Sequence, residues 1–69
     1  MPDRLLTAKE VAHFLGVSLP LVYRMAERKQ LPCIRWAALG DGKEKPRTVV
    51  RFKGSDLMAF IERHYHPGT

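Results

Sequence analysis

Few side chains in this sequence can do chemistry, and one kind dominates. His13, His64 and His66 are the only histidines, and Cys33 is the only cysteine. His64 and His66 alternate near the end of the chain with no third ligand in sequence reach. Zinc needs three or four converging ligands, so no metal is expected. One thiol permits neither an intramolecular disulfide nor a cysteine zinc cluster. Beside Pro32, Cys33 reads as a small, half-buried apolar residue. No glycine-rich phosphate loop is present, and no nucleophile has a base at a known spacing. These absences argue against an enzyme, and no cofactor or small-molecule ligand is expected.

The abundant groups are cations. Lysine and arginine number 12 against 7 aspartate and glutamate, a formal charge of +5. The excess is concentrated between Arg24 and Lys53, where Arg24, Arg28, Lys29, Arg35, Lys43, Lys45, Arg47, Arg51 and Lys53 face only Glu27, Asp41 and Glu44. That segment carries +6 and the remainder −1. A concentrated positive field favours polyanions, either nucleic acid or anionic lipid. Charge alone also allows a merely solvated basic surface. With 69 residues, 45% of them hydrophobic, the chain has room for one domain and a small core. No apolar run approaches the roughly 20 residues of a membrane span, and "MPDRLLTAKE" lacks a secretory pattern. A protein of the cytoplasm, associated with the nucleoid and making no membrane contact, is the expectation.

Local signals show which elements must hold these cations. "LLTAKEVAHFLG" reads as a helix capped by Thr7, with Glu10 at capping-box spacing and Leu6 able to pack on Val11. Val11, Ala12 and Leu15 share a face, and Gly16 supplies a left-handed end. A second helix, residues 19–29, puts Val22, Met25 and Ala26 on one side. Ser18 can cap it with Pro20 in the first turn, where a missing N–H does little harm. Because a residue before proline resists helical angles, the start can instead slip so that Leu19 caps and Pro20 leads. "LPCIRW" (31–36) and "TVVRF" (48–52) read as strands of a hairpin, joined by a long loop over about 37–48. "GSDLMAFIERHYH" reads as a third helix capped by Ser55, and residues 65–69 as a frayed tail. The expected core is Leu6, Val11, Ala12, Leu15, Val22, Met25, Ile34, Trp36, Val50, Phe52, Leu57, Phe60 and Ile61. Trp36 is placed inside, beside Ile34, with Arg35, Arg51 and Lys53 on the opposite face.

Ala12, Gly16 and Val22 stand where two steeply crossing helices need a small contact residue, a tight turn and a branched apolar lock. This is the spacing of a DNA-binding helix-turn-helix. An ordinary helical hairpin in a small core is the plainer alternative. "LLTAKEVAHFLGVSLPLVYRMAERKQLP", followed by "VVRFKGSDLMAFI", resembles the excisionase-type, MerR-like winged helix-turn-helix domains over Leu5 to Glu62. The pattern is a leading Leu-Thr, an alanine–glycine turn, Ser-x-x-x-Val-Tyr-Arg, Leu-Pro, and an Arg-Phe-x-x-x-Asp-Leu close. The resemblance implies a small α+β winged helix-turn-helix domain over residues 1–69. Its second helix would enter the major groove of duplex DNA, and its hairpin wing would reach the neighbouring minor groove or backbone. Two features depart from the family pattern. Leu19 and Pro20 stand where polar or basic residues are usual, and the wing is longer.

Helical geometry turns Pro20, Tyr23, Arg24 and Glu27 outward if Val22, Met25 and Ala26 face the core, with Leu21 and Arg28 on the flanks. Arg24 can bond guanine O6 and N7 or hold a phosphate. Tyr23 can pack on the helix pair or bond phosphate through its hydroxyl. Leu19 and Pro20 can touch a thymine methyl, and Ser18 can bond phosphate if its hydroxyl is not the cap. Glu27 repels phosphate unless it lies beyond the groove or accepts from cytosine. Thr7 and Lys9 lie at the positive end of the first helix, a phosphate clamp. Arg35, Lys43, Lys45, Arg47 and Arg51 are the candidate wing contacts, with 43, 45 and 47 at its tip.

The leading functional expectation is an excisionase, or recombination directionality factor. Such a protein bends DNA and partners an integrase or recombinase, or neighbouring copies of itself on DNA. A transcription regulator of the same fold is the runner-up. An adaptor for protein interaction or DNA packaging, using the Leu19–Leu21 edge, is the third reading.

Overall fold

The computed structural model describes residues 4–39, 42 and 45–68. In chain order the elements are β1 (Leu5–Thr7), α1 (Ala8–Leu15), α2 (Leu19–Glu27), β2 (Ile34–Ala38), β3 (Arg47–Lys53) and α3 (Gly54–Arg63). This is a small α+β arrangement of three helices and a three-stranded antiparallel sheet, strand order β1-β3-β2. The expected helix, helix, hairpin, helix order is present. The strand β1 is an addition, made of residues whose local pattern announces only the helix cap that follows. Leu5 pairs with Lys53, Leu6 with Phe52 and Thr7 with Arg51. On the other side of β3, Ile34 pairs with Arg51, Trp36 with Val49 and Ala38 with Arg47. Pairing reaches Ala38 and Arg47, so the hairpin connection is 39–46, shorter than the expected 37–48. β2 is an edge strand and packs chiefly on β3.

The ends of α1 follow from local chemistry. The Glu10 N–H donates to Thr7 Oγ1 at 3.0 Å, and the Thr7 N–H donates to Glu10 Oε1 at 2.9 Å, a complete capping box. Gly16 has φ 71° and closes α1 with the Val17 N–H on the Ala12 carbonyl and the Gly16 N–H on that of His13. Ser18 caps α2, its Oγ accepting from the Leu21 N–H at 3.4 Å. Leu19 is therefore the first helical residue and Pro20 the second, so the alternative start at Pro20 is not taken. The helix stops at Glu27, two residues earlier than expected. Lys29 adopts φ 60°, with the Gln30 N–H on the Met25 carbonyl and the Lys29 N–H on that of Ala26. A lysine thus fills the left-handed place that glycine fills after α1. α3 begins at Gly54 directly after β3, with Lys53 in the cap position and no side-chain cap bond. Ser55 lies inside the first turn rather than capping it, and the Gly54 N–H donates to the Arg4 carbonyl at 3.2 Å.

Val11, Val22, Leu31 and Phe52 are fully enclosed, joined by Ala8, Ala12, Met25, Ala26 and Leu57. Leu6, Leu15, Val50, Phe60 and Ile61 pack partly buried around them. Two expected core residues are outside: Ile34 is 37% and Trp36 45% exposed. The cause is register. Side chains of directly opposed residues share a sheet face, and alternate residues along a strand change face. Phe52 and Val50 point to the core, so Ile34 (opposite Arg51) and Trp36 (opposite Val49) point away from it. Leu31 and Ala8 were not expected inside. Leu31 enters the core because the left-handed turn at Lys29 redirects the chain inward before β2 begins. The molecule measures 57 × 30 × 19 Å with a radius of gyration of 14.2 Å. A compact chain of this length has about 11 Å. Among the described residues no helix is long and apolar enough to cross a membrane.

Candidate nucleic-acid interface

Ala12 and Val22 are buried where α1 meets α2, and Gly16 makes the turn between them. This packing fixes which face of α2 is left outside. Leu19, Pro20, Tyr23, Arg24 and Glu27 are all exposed and line one shallow depression of about 420 Å³. Arg28 is also exposed but lies past the last helical turn, as the C-cap. Ser18 has its hydroxyl oxygen committed to the α2 cap, which leaves the hydroxyl hydrogen to donate.

A second groove, about 330 Å³, joins α2 to the sheet. It is lined by Thr7 and Lys9 at the start of α1, Leu19 and Tyr23 of α2, and Arg47 to Arg51 of β3. Leu19 and Tyr23 line both concavities and form the ridge between them. Lys9, Arg47 and Arg51 are the charged residues lining the second groove, with no carboxylate among the described residues there. Arg51 donates from Nη1 to the Val50 carbonyl at 2.9 Å, which holds its guanidinium along the strand. Arginine has further N–H groups to offer an anion.

Other placements differ from expectation. Arg35 pairs with Val50 and so lies on the sheet face opposite to that of Arg51 and Lys53. It lines a separate groove of about 590 Å³ with Glu27, Lys29 and Cys33 beside the end of α2. Lys45 is exposed ahead of β3, and Lys43 falls outside the described residues. The phosphate clamp at the start of α1 is partly occupied from within. The Glu10 carboxylate already accepts from the Thr7 N–H and pairs with Arg4 at 3.3 Å. The Thr7 backbone bond, reinforced by the Thr7 side chain, Arg4 and more distantly Arg51, holds the Glu10 carboxyl below the ordinary carboxylate range. Lys9 is therefore the α1 side chain best suited to phosphate.

A further concavity, about 700 Å³, lies elsewhere, between α1 and α3. Its walls include Leu6, Phe14, Leu57 and Met58, with Arg4 and Lys9 as its lysine or arginine side chains. It lacks the convergent cations of the α2–β3 groove. No group of three or more metal-ligating side chains occurs among the described residues.

Residues 5–65 match the family model of the helix-turn-helix domain. No curated protein and no solved structure matches the chain. Domains of this family typically bind DNA and are not enzymes, so the match implies DNA as a partner of the chain.

Proposed function

Because the chain belongs to the helix-turn-helix domain family, we propose that it is a sequence-preferring binder of duplex DNA with the winged, excisionase-like form of that domain. α2 enters the major groove and the β2–β3 hairpin serves as the wing. The observation that carries this reading is the groove in which the exposed side of α2, through Leu19 and Tyr23, meets Lys9, Arg47 and Arg51 with no carboxylate lining it among the described residues. In this reading Arg24 and Tyr23 supply most of the recognition. Lys9, Lys45, Arg47 and Arg51 hold phosphates, and Leu19 and Pro20 offer only apolar contact to bases. The role is that of a recombination directionality factor in the cytoplasm: it bends DNA and cooperates with an integrase or with adjacent copies of itself. A transcription regulator of the same fold and size would use the same surface and is the alternative.

Titration of a labelled duplex at several salt concentrations tests the binding. Five neutralised phosphates give a slope of log affinity against log salt of about −4.5. No affinity at low salt would overturn DNA binding. A bound duplex that stays straight in a circular-permutation gel assay would remove the architectural role and leave a transcription regulator.

A further inference from the structure

The outer face of the hairpin carries a feature that phosphate contacts leave unexplained. Trp36 is 45% exposed, Ile34 and Leu39 are exposed near it, and Val49 opposite Trp36 is half-buried. Exposing a tryptophan on an edge strand forgoes burial of a large apolar surface, and contiguous exposed apolar patches mark contact sites. Cations bracket this patch. Arg51 stands opposite Ile34 and Arg47 opposite Ala38, so both arginines share the Trp36 face, one on each side of it. They stand four positions apart along β3, about 13 Å. No acidic residue occupies β1, β2 or β3. The same two arginines, and Val49 opposite Trp36, line the groove that contains Tyr23 and Lys9, so the two features share these β3 residues.

We propose that Trp36 is a DNA-contact residue. Its indole lies against the sugar and base surface of the duplex beside the segment read by α2, while Arg47 and Arg51 hold the flanking phosphates. The charge settles the class of occupant. An apolar partner protein would leave two arginines desolvated against it, whereas a polyanion with apolar sugar and base surfaces satisfies both components. The proposal rests on the DNA-binding reading and adds to it a nonionic anchor outside the helix-turn-helix.

Trp36 is the only tryptophan in the chain, so its emission reports this contact alone. Titration of the full chain with duplex DNA, followed both by Trp36 emission and by anisotropy of a label on the DNA, separates the two readings. The expected result is saturable quenching of Trp36 emission, about twofold, in step with the anisotropy. Trp36→Ala should bind about tenfold more weakly, as expected for removing roughly 55 Å² of buried apolar contact. Its salt slope should be unchanged, because an apolar contact releases no counterion. Trp36→Phe should recover most of the affinity. Anisotropy that reports binding while Trp36 emission stays constant overturns the proposal and leaves DNA binding standing. A Trp36→Ala variant that binds as the parent does has the same consequence. A duplex that does not bind at low salt overturns both. Should Trp36→Ala fail to fold by circular dichroism, the emission titration of the parent chain decides.

Discussion

The α1–α2 pair and the β2–β3 hairpin distribute their apolar side chains in opposite ways. In the helices Val11, Ala12, Val22, Met25 and Ala26 all turn inward, and local hydrogen bonds close all four helix ends. In the hairpin β3 sends Phe52 into the core, but β2 leaves Ile34 and Trp36 outside. The difference separates two jobs. Stability lies in the helices and the inner face of β3, and the outer face of the hairpin is left available for contact. A substitution can therefore be aimed at one job without disturbing the other.

The sharpest contrast is Phe52→Ala against Trp36→Ala in thermal or urea unfolding. Phe52→Ala should cost ~3–5 kcal/mol, a large part of the ~3–10 kcal/mol available to a chain of this length. Trp36→Ala should change stability by no more than about 0.5 kcal/mol. Comparable losses would erase the division. Next in size, Arg24→Ala should leave unfolding unchanged and relax discrimination at one base pair by ~1–3 kcal/mol, measured on a panel of duplexes. Equal weakening on every duplex would assign Arg24 to phosphate.

The caps give smaller effects. Thr7→Ala should cost ~1 kcal/mol by removing half of the capping box. The same box gives a pH signature. The folded state holds the Glu10 carboxyl below its ordinary range, so its contribution is present above that range and is lost as pH falls through the lowered value. Melting temperatures between pH 5 and pH 3 should fall less steeply for Glu10→Gln than for the parent, and parallel curves would contradict this. The smallest change is favourable. Lys29→Gly relieves a left-handed residue of ~1–2 kcal/mol, offset by ~0.4–1 kcal/mol of added freedom in the unfolded chain. The net gain of about 0.5–1 kcal/mol should appear as a raised unfolding midpoint, and a lowered one would show that the lysine side chain holds that turn.

What was legible in the sequence tracks how local each signal is. Thr7 with Glu10, Gly16, and Ser18 with Pro20 act over four residues or fewer, and each takes the role its spacing implies. The outward arc of α2 follows from helical period alone. Strand pairing is not local. Nothing within "LPCIRW" states that Ile34 will face Arg51, and a shift of one residue would have placed Trp36 in the core. Arg35 was misassigned for the same reason. β1 escaped notice because its three residues are also the approach to a helix cap. Leu31 reads locally as part of a strand because the redirection depends on a left-handed lysine, a conformation that residue type does not advertise.

The edge position of β2 has a consequence for how the protein behaves in concentrated solution. The outer side of β2, over Ile34–Ala38, is a row of backbone donors and acceptors able to accept a strand from another molecule. The side chains along it, isoleucine, tryptophan and two alanines, would favour such stacking. Arg35 and the arginines of β3 oppose it by mutual repulsion between copies. These arginines therefore guard solubility, apart from any contact that Arg47 and Arg51 make with DNA. A chain stripped of Arg35, Arg47 and Arg51 would be exposed to edge-to-edge aggregation.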